Sequence, residues 1–391
     1  MQARKREVYL DHAAATPLAP EVWEAMEPYL RERFHNPSAP YAPARRVHAD
    51  LEQARAKVAE LIGARPDNVT FTAGATEANN LAIASRGGHA VVSNIEHESV
   101  LACVHGRGAT LVAAQPSGLI DPQAVLSALK PNTELVSIAL ANGEVGAIQP
   151  MRAIARAVDG ERMRRLEDRD ATPLLLHTDA SQAAGYTSLN VSTLGVDLMT
   201  LSAAKIYGPK QMGILWRADG VALRPIVQGG GQEGGLRSGT ENVAAAVGMA
   251  RALELAESMR TEETRRLRGL SRALRAKLHD ALPFAVFAGP TREGDRLPGL
   301  VHVSFPGVEA RRLVVLLERE GVYVGTGSAC AASRMRVSHV LSALGMPEDV
   351  ARGSLRITMG RTTTQEDVDY ALAAIVASVR SELARTGRTE R

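Results

Sequence analysis

Val69-Thr-Phe-Thr-Ala-Gly-Ala-Thr-Glu77 changes character twice within a few residues. Val69–Thr72 is β-branched and aromatic, the composition of a strand. Ala73-Gly-Ala75 is a turn of small residues, and a helix is expected to start near Thr76. A strand that feeds a helix through so short a turn is the building unit of an α/β fold. The alternation continues on both sides. Upstream, residues 44–62 place Val47, Leu51, Ala54, Val58 and Leu61 at spacings of three and four, a helical stripe stopped by Gly63. Downstream come apolar runs at Ala90–Ser93, Thr110–Ala113, Leu135–Leu140, Leu174–His177, Asp197–Leu201 and Gly213–Trp216, with helical signals between several of them. One such signal is Asp121-Pro122, an N-cap followed by proline at the first helical position. The pattern predicts a mostly parallel sheet covered by helices on both faces.

After about residue 258 the pattern shifts. An arginine-rich helix over roughly 259–281 reads as a connector, and its basic side reads more naturally as a solvated face than as a partner surface. Strands are expected at Leu300–Phe305 and Ser354–Met359, and helices at 308–320, 338–344 and 364–385. The last opens on Thr364-Gln-Glu-Asp367, a capping-box-like start, and carries Val368, Leu372, Ile375, Val379 and Leu383 on one stripe. The expected organisation is a large α/β domain over residues 16–258 and a smaller α+β domain built from 1–15 with 259–391.

Composition narrows the function. The chain has 391 residues, 45% hydrophobic, enough for a large core, and its formal net charge of +3 is too small to imply nucleic acid. Its two cysteines, Cys103 and Cys330, make no disulfide framework, so a reduced, cytoplasmic protein is expected. Met1 to Tyr9 is polar and lacks the apolar core of a signal peptide, and no run is long and apolar enough to predict a membrane span. No metal site is expected. Lysines are few, so chemistry that needs an amine has few candidates.

Three motifs lie at strand ends, where open α/β sheets bind ligands. The Ala73–Thr76 turn offers free backbone N–H groups and a positive helix end, an anion site, although an ordinary strand-to-helix turn looks the same. His177-Thr-Asp-Ala-Ser-Gln182 puts Asp179 at a strand end; the carboxylate can pair with a protonated ring nitrogen or simply cap a helix. In Leu201-Ser-Ala-Ala-Lys-Ile-Tyr-Gly-Pro-Lys210, Lys205 sits among small and apolar residues, where desolvation favours the neutral, nucleophilic amine. Lys210, in the turn after Pro209, reads as the more exposed lysine. A fourth motif, Val324-Gly-Thr-Gly-Ser-Ala-Cys-Ala-Ala-Ser333, sets Cys330 in a Gly/Ser/Ala loop, either as a nucleophile or as a structural thiol. Cys103, in Val100-Leu-Ala-Cys-Val104, reads as buried in a helix and inert.

Taken in order, these motifs resemble the pyridoxal-phosphate-dependent cysteine desulfurases of the class V aminotransferase fold, a fold type I-like transferase. The resemblance runs from Tyr9-Leu-Asp-His-Ala-Ala-Ala-Thr-Pro17 to about Arg361. It includes Thr72-Ala-Gly-Ala-Thr-Glu-Ala-Asn-Asn80, Glu96-His97, Asp179-Ala-Ser-Gln182, Lys205-Ile-Tyr-Gly-Pro-Lys210, Gly229-Gly-Gly-Gln-Glu-Gly-Gly-Leu-Arg-Ser-Gly-Thr240, Gly327-Ser-Ala-Cys330 and Ser354-Leu-Arg356. It implies that Lys205 carries pyridoxal 5'-phosphate, that Asp179 partners the pyridine nitrogen, and that Gln182 donates to the phenolic oxygen. His97 is implied to stack on the ring and shuttle protons. Ala75, Thr76 and Ser202 are implied phosphate contacts, joined by Thr240 from the second subunit of a homodimer. Arg356 is implied to clamp the substrate carboxylate, with Asn142 beside the substrate, and Cys330 to take sulfur as a persulfide.

The resemblance thus implies conversion of L-cysteine to L-alanine, with sulfur passed to an acceptor protein, an iron–sulfur scaffold or a tRNA-thiolation relay. Selenocysteine lyases and small-amino-acid aminotransferases of the same fold are the alternatives, and Cys330 speaks against the latter, since transamination has no use for a mobile thiol. Two positions depart from the family pattern. Ala204 stands where most relatives have a histidine that bonds the phosphate, and Gly143 stands where many have a second asparagine.

Overall fold

Strand β1 (Val8–Leu10) is followed by helices α1 (Pro20–Arg31) and α2 (Ala42–Ile62) in the computed structural model of the chain, which describes residues 6–327 and 337–387. α2 ends where expected: Gly63 turns left-handed at φ 69° and its N–H reaches back to the Ala59 and Glu60 carbonyls. The alternation then runs β2 (Val69–Thr72), α3 (Ala75–Ala84), β3 (His89–Ser93), α4 (Glu98–Val104), β4 (Ala109–Val112), α5 (Pro122–Ser127), β5 (Thr133–Ser137), α6 (Met151–Glu167), β6 (Leu175–Asp179), α7 (Val191–Leu194), β7 (Leu198–Ser202) and β8 (Gly213–Arg217).

These strands form one seven-stranded sheet in the order β2-β8-β7-β6-β5-β3-β4. β8 is antiparallel to both its neighbours and the other pairings are parallel. Side chains alternate between the faces. Val91, Val136, Leu176, Met199 and Ile214 pack on one side, while Ala90, Val92, Leu135, Leu198 and Leu215 pack on the other. Both faces are covered, which is why the strands read as continuous apolar runs.

α8 (Val243–Ala281) is one unbroken helix of 39 residues, so the connector begins well before 259. Its first half carries Ala244-Ala-Ala246, small residues buried against α1 and α2, and shows no amphipathic stripe. The real start signal is Asn242, whose side chain accepts from Ala245 N–H. The first half of α8 buries Val243, Met249 and Leu253 in the core of the large sheet. The second half buries Leu267, Leu274 and Leu278 in a separate core. Each such leucine contributes roughly 1.5–3 kcal/mol on burial.

That second core also takes residues from β1, β9 (Val286–Phe287), β10 (Leu300–Ser304), α9 (Ala310–Arg319), β11 (Val322–Val324), β12 (Ser354–Thr358) and α12 (Gln365–Arg385). Two short helices, α10 (His339–Ala343) and α11 (Glu348–Ala351), precede β12. β12, β10 and β9 form an antiparallel sheet, and β1 pairs in parallel with β11. Bridges from Asp11 to Thr358 and from Gly325 to Arg356 bring that pair to the edge of β12. α12 opens with the full capping box, Thr364 and Asp367 each satisfying the other's backbone N–H.

Candidate active site

The carboxyl ends of β2, β3, β5, β6 and β7 share one edge of the large sheet. Facing it, from β12, is Arg356. A cavity of about 340 Å³ lies between, and Ala75, Thr76, His97, Asn142, Asp179, Gln182, Ser202, Lys205 and Arg356 all line it.

One end of the cavity is a backbone cradle. α3 starts at Ala75, behind Gly74 at φ 114°. Gly213 at the start of β8 lies so close that a Cβ there would sit 2.7 Å from the Gly74 carbonyl carbon and 2.9 Å from Ala75 N. Only glycine lets β8 and the turn approach this way, leaving the first N–H groups of α3 directed outward. Ser202, ending β7, and Thr76 supply hydroxyls beside them.

Lys205 follows β7 in a short 3-10 turn, Ala203–Lys205. Its Nζ donates to the Ala13 carbonyl at 2.8 Å and the Ala14 carbonyl at 2.6 Å. Burial, reinforced by the Arg356 guanidinium, pulls the amine down to about 8. A neutral amine has two hydrogens, and the two carbonyls take both, leaving its lone pair available. Lys210 is exposed and donates instead to the Thr16 carbonyl.

The opposite wall is a hydrogen-bond chain. Asp179 accepts from Ser181 N–H at 2.9 Å and from Asn79 Nδ2 at 2.8 Å. The same Asn79 nitrogen donates its second hydrogen to Ser99 Oγ at 2.9 Å. Ser99 Oγ donates on to His97 Nδ1 at 2.8 Å, and Ser99 N–H approaches that nitrogen at 3.1 Å. With donors on Nδ1, this network assigns the proton of a neutral His97 to Nε2. Asp179 therefore makes an Asx turn and not a helix cap. Beside it, Glu96 is buried; Ser93 Oγ and Ala139 N–H donate to its Oε1 at 2.5 and 2.9 Å. Burial outweighs those bonds and pushes its carboxyl up to about 7.

Gln182 donates from Nε2 to the Ala13 carbonyl at 3.0 Å. Asn142 is largely committed to its own loop: Nδ2 donates to the Ile95 carbonyl and Oδ1 accepts from Glu144 and Val145 N–H, all at 2.9 Å. Arg356, 5% exposed, donates from Nη2 to Asp11 Oδ1 at 2.7 Å and from Nη1 to the Gly143 carbonyl at 3.3 Å. Its Nε has no partner among the described residues.

Three expected residues stand apart. Thr240 is exposed on the glycine-rich loop, outside this cavity. Cys330 lies outside the described residues. Cys103 is half-buried near the end of α4, not fully buried as its apolar neighbours suggested, because the seven-residue α4 turns that side partly outward. Its Sγ contacts the Ser99 carbonyl at 3.1 Å, and burial pushes the thiol up. Asn79, Ser99 and the Asp11, Ala13 and Ala14 loop complete the site without a local signal that marks them as parts of it. Asn79 stood inside the Thr72–Asn80 motif, whereas the loop is distant in sequence.

Comparison with known proteins agrees with this architecture. The family model for class V aminotransferases matches residues 8–371, and the chain belongs to that family. Within it, the chain falls among the cysteine desulfurases. It is 40% identical over 380 residues to cysteine desulfurase IscS of Dictyoglomus turgidum, covering 94% of this chain and 93% of the relative. It is 37% identical to the cysteine desulfurase of Homo sapiens, covering 96% of this chain and 82% of the relative. A solved NifS-like protein superposes with a TM-score of 0.86 at 32% identity, covering 96% of this chain and all of that one. A structure described as SspA in complex with cysteine superposes with a TM-score of 0.74 at 32% identity, covering 90% and 98%.

Proposed function

We propose that the cavity holds pyridoxal 5'-phosphate on Lys205 and that the chain uses it to convert L-cysteine to L-alanine, taking the sulfur onto Cys330. The observation that carries the reading is Lys205, a buried amine that burial makes easier to deprotonate and that two backbone carbonyls hold in place, in the same cavity as an anion cradle and a carboxylate. That donor set fits a flat, phosphate-bearing aldehyde. When bound, pyridoxal phosphate supplies an electron sink for bonds broken at the substrate Cα.

The chain's own groups do the rest. The first N–H groups of α3, with Thr76 and Ser202, hold the phosphate. Asp179, oriented by Asn79, keeps the ring nitrogen protonated. Gln182 donates to the ring's oxygen. His97, which lines the cavity and is kept by Ser99 in the tautomer with its proton on Nε2, moves protons. Arg356 offers its guanidinium to the substrate carboxylate, in competition with Asp11. Asn142 acts by holding the loop that lines the substrate's side. Cys330 attacks the substrate sulfur: an S–S bond forms, the carbon–sulfur bond breaks, and the carbon takes up a proton as alanine forms. The persulfide then passes to an acceptor protein, an iron–sulfur scaffold or a tRNA-thiolation relay. The exposure of Thr240 supports a homodimer in which it reaches the other subunit's phosphate. The cysteine bound to the SspA relative supports the choice of substrate.

The test uses purified protein. Borohydride reduction and peptide mapping should place a pyridoxyl group on Lys205; finding it on Lys210 would overturn the assignment. Cys330→Ala should keep the visible cofactor band and nearly abolish alanine formation from cysteine, while Cys103→Ala should leave both intact. Full activity in Cys330→Ala would point to direct elimination without a protein thiol.

A further inference from the structure

Glu77 occupies the first turn of α3, the helix whose amino end faces the cavity. An acidic residue there favours the helix, but it also repels any anion bound at the same end. Both of its oxygens are occupied. Oε2 accepts from Ala73 N–H at 3.0 Å, closing the Ala73–Thr76 turn from behind. Oε1 accepts from Arg237 Nε at 3.0 Å. Neither side chain is far out in solvent, at 16% exposure for Glu77 and 27% for Arg237.

Arg237 belongs to the glycine-rich loop, and that loop is fastened a second time. Glu233 accepts from Arg55 Nη1 at 2.7 Å and Nη2 at 2.9 Å, and from Phe71 N–H at 2.9 Å on the edge strand β2. Glu233 holds φ at 50°, a left-handed conformation that a non-glycine residue adopts only when its surroundings insist. The loop is thus a fixed anchor, and Glu77 connects it to the turn.

We propose that Glu77 is a positioning residue of the phosphate cradle: one carboxylate oxygen fixes the Ala73–Thr76 turn, and the other ties that turn to Arg237, which also cancels its charge. The proposal rests on the turn being the phosphate site. Two effects of the carboxylate oppose each other, and their signs differ. Acting only as a charge, Glu77 would weaken phosphate binding. Acting as a tether, it strengthens binding by holding the N–H groups in place.

Glu77→Ala, Arg237→Ala and the double variant are stripped of cofactor and titrated with pyridoxal 5'-phosphate and with pyridoxal, which lacks the phosphate, following the visible band. Arg237→Ala, which loses one charge-assisted hydrogen bond, should bind the phosphorylated ligand about tenfold more weakly, and Glu77→Ala, which loses two, at least as much more weakly. Pyridoxal affinity should stay unchanged, and the double variant should be no worse than the weaker single one, because Arg237 acts through Glu77. Tighter binding in Glu77→Ala, equal loss for both ligands, or additive losses would each overturn the proposal. Should Glu77→Ala fail to fold, Glu77→Gln keeps an acceptor for Ala73 N–H and loses the one for Arg237; it should bind the phosphorylated ligand no more weakly than Arg237→Ala, and a larger loss would overturn the proposal. If the unmodified protein binds the two ligands alike, the assignment of the phosphate site itself is at fault.

Discussion

Gly143 and Gln182 are packed so closely that a Cβ on residue 143 would lie 2.7 Å from Gln182 Cδ and 2.9 Å from its Nε2. The glycine at this position is therefore matched to the place Gln182 takes. Gly143→Asn should displace Gln182 from the cavity. A lost hydrogen bond to a charged group is worth ~1.5–3 kcal/mol. Activity on cysteine should then fall about tenfold or more, with a shift of the visible cofactor band. An unshifted band with full activity would show that the loop carrying residue 143 yields instead.

The Lys205 amine gives the cofactor-free protein a specific pH dependence. Its folded value, about 8, lies below the ordinary 10.5, so between those values the unfolded chain binds more protons. Stability from this group is therefore lowest below pH 8 and rises as pH climbs toward 10.5, by at most roughly 3 kcal/mol. Denaturant titrations of the cofactor-free protein at several pH values should show this rise, and Lys205→Met should remove it.

Ser99 sets the tautomer of His97 and shares Asn79 with Asp179. Ser99→Ala removes the hydroxyl and leaves only the backbone N–H on Nδ1. The turnover rate should drop about tenfold, with the pH profile displaced and substrate KM little changed. Ser99→Thr, which retains the hydroxyl, should recover most of the rate. A profile identical to that of the unmodified enzyme would remove Ser99 from the proton-handling network.

Ala204 faces the cavity beside Lys205 with a methyl group that can donate nothing, while its carbonyl is taken by Thr16. Ala204→His should add a phosphate donor and tighten pyridoxal phosphate binding about tenfold. Dialysis followed by absorbance measures this directly. Unchanged retention would mean that the α3 N–H groups and hydroxyls already saturate the phosphate.

The strands of the large sheet, the caps at Gly63, Asp121 and Thr364, and the turn at Ala73–Thr76 were legible in the chain itself. Each depends on neighbours a few residues away, and side-chain periodicity reports burial on such short spans. The strand-end positions of Asp179 and Lys205 followed from the same runs. Elsewhere local contrast is weak: Ala244-Ala-Ala246 shows no stripe, so periodicity marks only the later part of α8, and the two- and three-residue strands β1, β9 and β11 are too short to carry an alternation. The partners within the site were decided only by tertiary structure. Lys205 meets the carbonyls of Ala13 and Ala14 across more than 190 residues of chain, and Arg356 meets Asp11 across 345. Asn79 joins Ser99 to Asp179 because α3 and α4 lie on the same face of the sheet. Contacts of this kind leave no periodic trace in sequence. They arise when the parallel sheet gathers its carboxyl ends on one edge and the second core carries β12 against it.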